Sequence, residues 1–150
     1  YDCTVITYEV PEDHPLYHAI DGVLFFKDGK TLLAYPGGRT DEHYDVPAGV
    51  EHIWPYAFGT DYLKTISLPI GLKTIGSGAF ATCGRLQSIA VPLTVTEIGD
   101  YAFWRCVSLE LVSLPDGLTA NKNDNPRFVQ YYTDDFIYRG DNGDTLSSGH

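Results

Sequence analysis

The chain has 150 residues, with 20 Asp+Glu against 10 Lys+Arg for a net charge of −10, and it is 43% hydrophobic and 13% aromatic. That length and apolar content suit one folded domain and exclude a disordered chain. The acidity excludes a nucleic-acid backbone or anionic membrane partner, and no apolar run approaches the roughly 18 residues that span a bilayer.

The charge is unevenly spread. Residues 1–45 carry 9 acids and 3 bases, residues 46–115 carry 5 and 4, and residues 116–150 carry 6 and 3. A near-neutral middle thus lies between acidic flanks, and we divide the chain there. The chain opens at Tyr1-Asp2-Cys3 and contains no Met, which reads as a processed or excised fragment with any targeting signal outside it. Three cysteines, Cys3, Cys83 and Cys106, are an odd number and cannot be a complete set of internal disulfides.

In the first flank, residues 22–36 place two β-prone runs on either side of Asp28-Gly29, a strong hairpin signal. Residues 1–45 are therefore expected to form an N-terminal β-hairpin cap.

The middle, residues 46–115, is a repeat. Pro47, Pro69, Pro92 and Pro115 are 22, 23 and 23 residues apart. Ile53, Ile75 and Ile98 each follow a proline by six residues, and Ala57-Phe58, Ala79-Phe80 and Ala102-Phe103 come next. Leu63, Leu86 and Leu109 then open the blocks that end at the next proline. A unit this short cannot bury its apolar side alone and must stack on its neighbours. The alternation around Ile66, Ile89 and Val112 reads as a half-buried strand ended by the proline. Val50/Ile53, Leu72/Ile75 and Val95/Ile98 mark a second apolar limb. Gly76 and Gly99 are expected to permit a bend into a single helical or 3₁₀ turn at Ala-Phe. Phe58, Phe80 and Phe103 should then form an inward aromatic column.

These residues resemble the BspA-like class of leucine-rich repeat, with its pattern of Ile-Gly, Ala-Phe, Cys and a closing strand before Pro. Two departures stand in the first copy: Trp54 replaces the expected Gly, and Gly59 to Tyr62 is one residue short and lacks the Cys. The resemblance implies a β-rich α/β solenoid: a short right-handed coil of three leucine-rich repeats, with single helical turns and β-hairpin caps. It implies a bacterial, extracellular or cell-surface setting and a protein partner, and hairpin units of this kind commonly lie between blocks of such repeats. Residues 116–150 are expected to be a loop and a partial hairpin cap, with a hairpin-like segment at 128–138.

Catalytic chemistry finds little support. His14 and His18 have metal-pair spacing, but Pro11 and Pro15 disfavour a helix and no further ligand is evident. Cys83 and Cys106 hold the inward repeat position and read as buried thiols, a disulfide between adjacent coils being the alternative. Glu12-Asp13, Asp41-Glu42 and Asp134-Asp135 read as solvated charge, and Asp141-Asn142-Gly143-Asp144 as a turn rather than a calcium loop. We expect no enzyme, no cofactor and no metal site.

What remains is surface. Thr65, Ser67, Ser88, Ala90, Leu111 and Ser113 flank the inward strand residues and form a strip of small side chains with one exposed Leu. Trp54, Tyr56, Tyr101 and Trp104 lie on the turn limb and are expected to face outward, as aromatics at binding sites do. The expected function is a non-catalytic recognition or adhesion module that binds a protein of the host, the matrix or a neighbouring cell. A glycan-binding accessory module of a secreted enzyme and a passive spacer are the alternatives, and Trp54 and Trp104 serving only to cover neighbouring coils or the cap is the plain structural one.

Overall fold

The structure is a computed structural model that describes residues 5–115 and the strands at 137–140 and 145–147. Three short strands come first: β1 (Tyr17–Ile20), β2 (Val23–Phe26) and β3 (Thr31–Ala34). They pair antiparallel in sequence, with Gly29 in the tight turn at φ 73°, a conformation that costs glycine nothing. From β3 onward the chain winds, and each coil gives one strand to each of two sheets. β3, β5 (His52–Ile53), β7 (Thr74–Ile75) and β9 (Glu97–Ile98) stack in parallel on one limb. β4 (His43–Asp45), β6 (Thr65–Ser67), β8 (Ser88–Ala90) and β10 (Leu111–Leu114) stack in parallel on the other. The result is a β-solenoid of about four turns.

Register follows the repeat. Ile53 lies opposite Ile75, and Ile75 opposite Ile98. The coil-to-coil offset is 22 residues where the first copy is short (His43 to Thr65) and 23 in the next (Thr65 to Ser88). After Pro47, Pro69 and Pro92, the amides of Val50, Leu72 and Val95 close a turn on the proline carbonyl. The core between the limbs is apolar throughout, and Phe58, Phe80 and Phe103 are fully buried in it. Their rings stack at centroid distances of 5.2 and 5.6 Å.

Tyr35 extends that column, stacked 5.3 Å from Phe58. Ala34-Tyr35 is thus the Ala-Phe pair of an additional first coil, and the hairpin merges into the solenoid through β3 and β4. The loss of one residue after Phe58 puts Thr60, which is buried, where the later coils hold cysteine, three residues before the leucine.

No helix occurs among the described residues, which corrects the expected α/β class and its helical or 3₁₀ turns. The reason is the backbone at the repeat position before Ala. Tyr56, Gly78 and Tyr101 all have left-handed φ, at 58°, 62° and 60°, as do Thr82 and Arg105 further round. A left-handed residue breaks a helical run. It turns alternate amides along the solenoid axis instead. Tyr56 and Phe58 donate to the Ser77 and Ala79 carbonyls, and Gly78, Phe80 and Thr82 donate to those of Asp100, Ala102 and Trp104. The turns are therefore a third hydrogen-bonded limb, which locks each coil to the next.

Gly76 and Gly99 also serve differently from the expectation, since neither has positive φ. A Cβ on Gly76 would lie 2.6 Å from the Pro55 nitrogen, and one on Gly99 would lie 2.3 Å from the Ser77 nitrogen. Glycine is required because one coil's backbone approaches the next. At the equivalent position of the preceding copy, Trp54 packs edge-on against Phe26 of the hairpin at 5.4 Å.

At the far end, β11 (Ile137–Gly140) pairs in parallel with β10, and β12 (Thr145–Ser147) pairs antiparallel with β11. The rest of 116–150, including Asp134-Asp135 and Asp141 to Asp144, lies outside the described residues, as does Cys3.

Candidate functional site

The outward face of the second sheet is built by alternation. Tyr44, Ile66, Ile89 and Val112 point inward and are buried, so their neighbours point out. Thr65, Ser67, Ser88 and Ala90 are exposed, in register across β6 and β8. Leu111 and Ser113 are half-buried rather than exposed, on the strand that pairs with β11 at Leu111 opposite Ile137.

The strip extends to two residues that sequence reasoning missed, His43 and Asp45 on β4. His43 Nδ1 and Thr65 Oγ1 share a hydrogen bond at 2.6 Å, and His43 Nε2 and Asp45 Oδ1 another at 2.8 Å. His43 and then Ser67 hold the Asp45 carboxyl below its usual range by hydrogen bonding. Their signal was present: His43-Tyr44-Asp45 precedes Val46-Pro47 as Thr65-Ile66-Ser67 precedes Leu68-Pro69. The first limb repeats the arrangement, with His52 Nδ1 2.8 Å from Thr74 Oγ1. Beside each His–Thr pair is an ion pair, Glu42–Lys64 at 3.2 Å and Glu51–Lys73 at 3.0 Å. Such exposed pairs set register more than they stabilise.

On the turn limb the four aromatics part company. Tyr56, Tyr101 and Trp104 line one cavity of about 270 Å³ with Ala81. An adjoining space of about 220 Å³ shares Tyr56, Ala81 and Trp104 and adds Gly59, Gly78 and Thr82. Trp54 is not among the residues lining either space. It ends an aromatic ladder on the hairpin, in which Phe26 stacks on Tyr17 and Tyr17 meets His14. Trp54 therefore covers the hairpin, while Trp104 lines a notch.

The remaining candidates fall elsewhere. His14 Nδ1 accepts from the amides of Leu16 and Tyr17, and His18 lies within β1. Glu12, Asp13, Asp41 and Glu42 are exposed. Among the described residues, no group of three His, Cys, Asp or Glu is placed to hold a metal ion, and no helix is long and apolar enough to cross a membrane. Cys83 and Cys106 are buried free thiols. Burial pushes the Cys83 thiol up to about 12 and raises Cys106 well above its ordinary value, so neither is a nucleophile at neutral pH.

No curated protein matches the chain. Among solved structures, a leucine-rich repeat protein from Eubacterium ventriosum is 31% identical, with a TM-score of 0.69 over 71% of this chain and 29% of its own. The pneumococcal vaccine antigen PcpA shares the fold at 24% identity and a TM-score of 0.63, over 83% of this chain and 37% of its own. A leucine rich cell surface protein from Faecalibacterium prausnitzii is 26% identical, with a TM-score of 0.50 over 92% of this chain and 44% of its own. The chain thus spans less than half the length of each. Residues 41–125 match the family described as BspA type leucine rich repeat region (6 copies). With its coils in register and one aromatic ring per coil in a shared core, the chain belongs to the BspA-type leucine-rich repeat family.

Proposed function

We propose that the chain is a non-catalytic recognition module of a bacterial extracellular or cell-surface protein, and that it binds a partner protein through its repeat surface. The observation that carries this reading is the exposed row of Thr65, Ser67, Ser88 and Ala90 on a sheet paired coil to coil. Small side chains on a rigid backbone present a flat face that loses little conformational entropy on docking. In this reading residues 1–45 and 116–150 flank and protect the ends of a 46–115 repeat block, where open strand edges would invite aggregation. The test is surface-plasmon binding to a panel of matrix and cell-surface proteins, with Ser67→Arg/Ser88→Arg as the comparison. At least one partner should bind the parent chain and lose the paired variant by tenfold or more. A partner that binds both equally, or no partner at all, overturns the reading.

A glycan-binding accessory role is the second reading, supported by the aromatic walls of the turn-limb notch. Glycan-array binding that Trp104→Ala abolishes would replace the first reading with this one. Inert behaviour in both assays would leave a passive spacer.

A further inference from the structure

Building on the turn limb as a contact surface, we infer that its notch receives one apolar side chain of a partner peptide while Arg105 receives an Asp or Glu beside it. Two columns shape the notch. Tyr56, Gly78 and Tyr101 occupy one repeat position, and Gly59, Ala81 and Trp104 another. Small residues in the middle coil between large ones in its neighbours leave a gap. The Tyr56 ring leans into the space of the missing Gly78 side chain, its Cε1 2.3 Å from where a Cβ would stand. The gap has an apolar lining and about 270 Å³, with the adjoining space of about 220 Å³ beside it, which is room for one large apolar side chain.

The charge argument is separate. Arg105, like Lys27, Lys30 and Arg85, takes part in no ion pair among the described residues, and of these only Arg105 lies over an aromatic wall of the notch. Arg105 is exposed, and its guanidinium lies over the ring of Trp104, a wall of the notch, 5.2 Å from the centroid. A stacked guanidinium keeps its planar rim for a carboxylate, which it binds in a two-pronged geometry. A partner that places an Asp or Glu beside its apolar side chain complements that charge.

The test is an NMR titration of the full chain that follows two indole N–H signals, Trp104 in the notch and Trp54 on the hairpin as internal control. The probes are N-acetyl-Phe-Glu-amide, its Phe-Gln counterpart and a methyl glucoside. The Phe-Glu peptide should move Trp104 saturably and leave Trp54 still. Loss of the carboxylate, or Arg105→Gln, should each weaken binding about three- to tenfold, as for an exposed charge-assisted hydrogen bond. Ala81→Leu, which fills the notch, should abolish it. Equal affinity for the two peptides, or indifference to Arg105→Gln, overturns the inference but leaves the turn limb as an apolar contact. Binding of the glucoside alone overturns it in favour of the glycan reading. No shift of Trp104 with any probe overturns both the inference and the turn limb as a contact surface.

Discussion

The Cys106 thiol donates a hydrogen bond to the Phe80 carbonyl, 3.0 Å away and 26 residues earlier in the chain. Cys83 stands in the same relation to Phe58, at 3.6 Å. Each thiol thus ties its coil to the one before, at the carbonyl of that coil's core ring. Cys106→Ala removes this bond and leaves a small cavity, and should cost about 1–2 kcal/mol in urea denaturation. Alkylation of either thiol in the folded chain at pH 8 should require unfolding.

The same thiols predict alkaline sensitivity. Burial raises both above the ordinary thiol value of 9.0, Cys83 to about 12. The unfolded chain therefore releases these protons first as pH rises. Their contribution to stability is complete below pH 9 and is lost as pH rises beyond it, for Cys83 on the way to about 12. Denaturation midpoints should fall above pH 9 in the parent chain and fall less steeply in Cys83→Ala/Cys106→Ala. A parallel fall in both would contradict this.

The two close glycines offer a sharper contrast. Alanine at Gly99 meets the backbone nitrogen of Ser77, which cannot move without displacing its coil, and should cost about 3 kcal/mol or more. Alanine at Gly78 meets only the far end of the Tyr56 side chain, and its main cost is the left-handed backbone at φ 62°, about 1–2 kcal/mol. Thermal denaturation of the two variants should rank them in that order.

Much of this architecture is legible from spacing. The prolines, the Ile-to-Phe interval and the Asp28-Gly29 turn locate the coils, the aromatic column and the hairpin, because stacking demands like residues at like positions. What spacing hides is physical. Tyr35 and His43-Tyr44-Asp45 form a coil too, but its first limb runs at a 21-residue offset (Thr31 opposite His52) and its ring carries a hydroxyl. The helical turn expected at Ala-Phe fails because Tyr56 and Tyr101 take a left-handed backbone that tyrosine rarely adopts, which at Tyr56 is held by a bond to the Ser77 carbonyl of the next coil. Trp54 and Trp104 look equivalent as turn-limb aromatics, yet only Trp104 has Ala81 and Gly78 beside it to open a notch.

The column of rings carries its own prediction. Phe80 has stacked neighbours on both sides, and Phe80→Ala should cost about 3–5 kcal/mol. Tyr35 is almost as buried, and its hydroxyl faces the Arg39 guanidinium, whose Nη1 likewise lacks a well-formed hydrogen bond. With so weak a contact, Tyr35→Phe should change stability by less than about 1 kcal/mol in urea denaturation. A larger loss would show that the hydroxyl and Arg39 bond firmly to each other.

On the second sheet, hydrogen bonding from His43 and Ser67 holds the Asp45 carboxyl down. A depressed carboxyl favours the folded chain at neutral pH, and that preference fades as pH falls through its folded value. Carbon-detected NMR should show Asp45 titrating below an ordinary aspartate, and His43→Ala should return it toward the usual range.

The turn-limb surface depends on a limb locked from coil to coil, and native-state amide hydrogen exchange reads that lock directly. The amides of Phe58, Phe80 and Thr82, which donate to the following coil, should exchange only through global unfolding, as slowly as those of the buried strands. Exchange of these three at the rate of an unprotected loop, with the strands still protected, would contradict it.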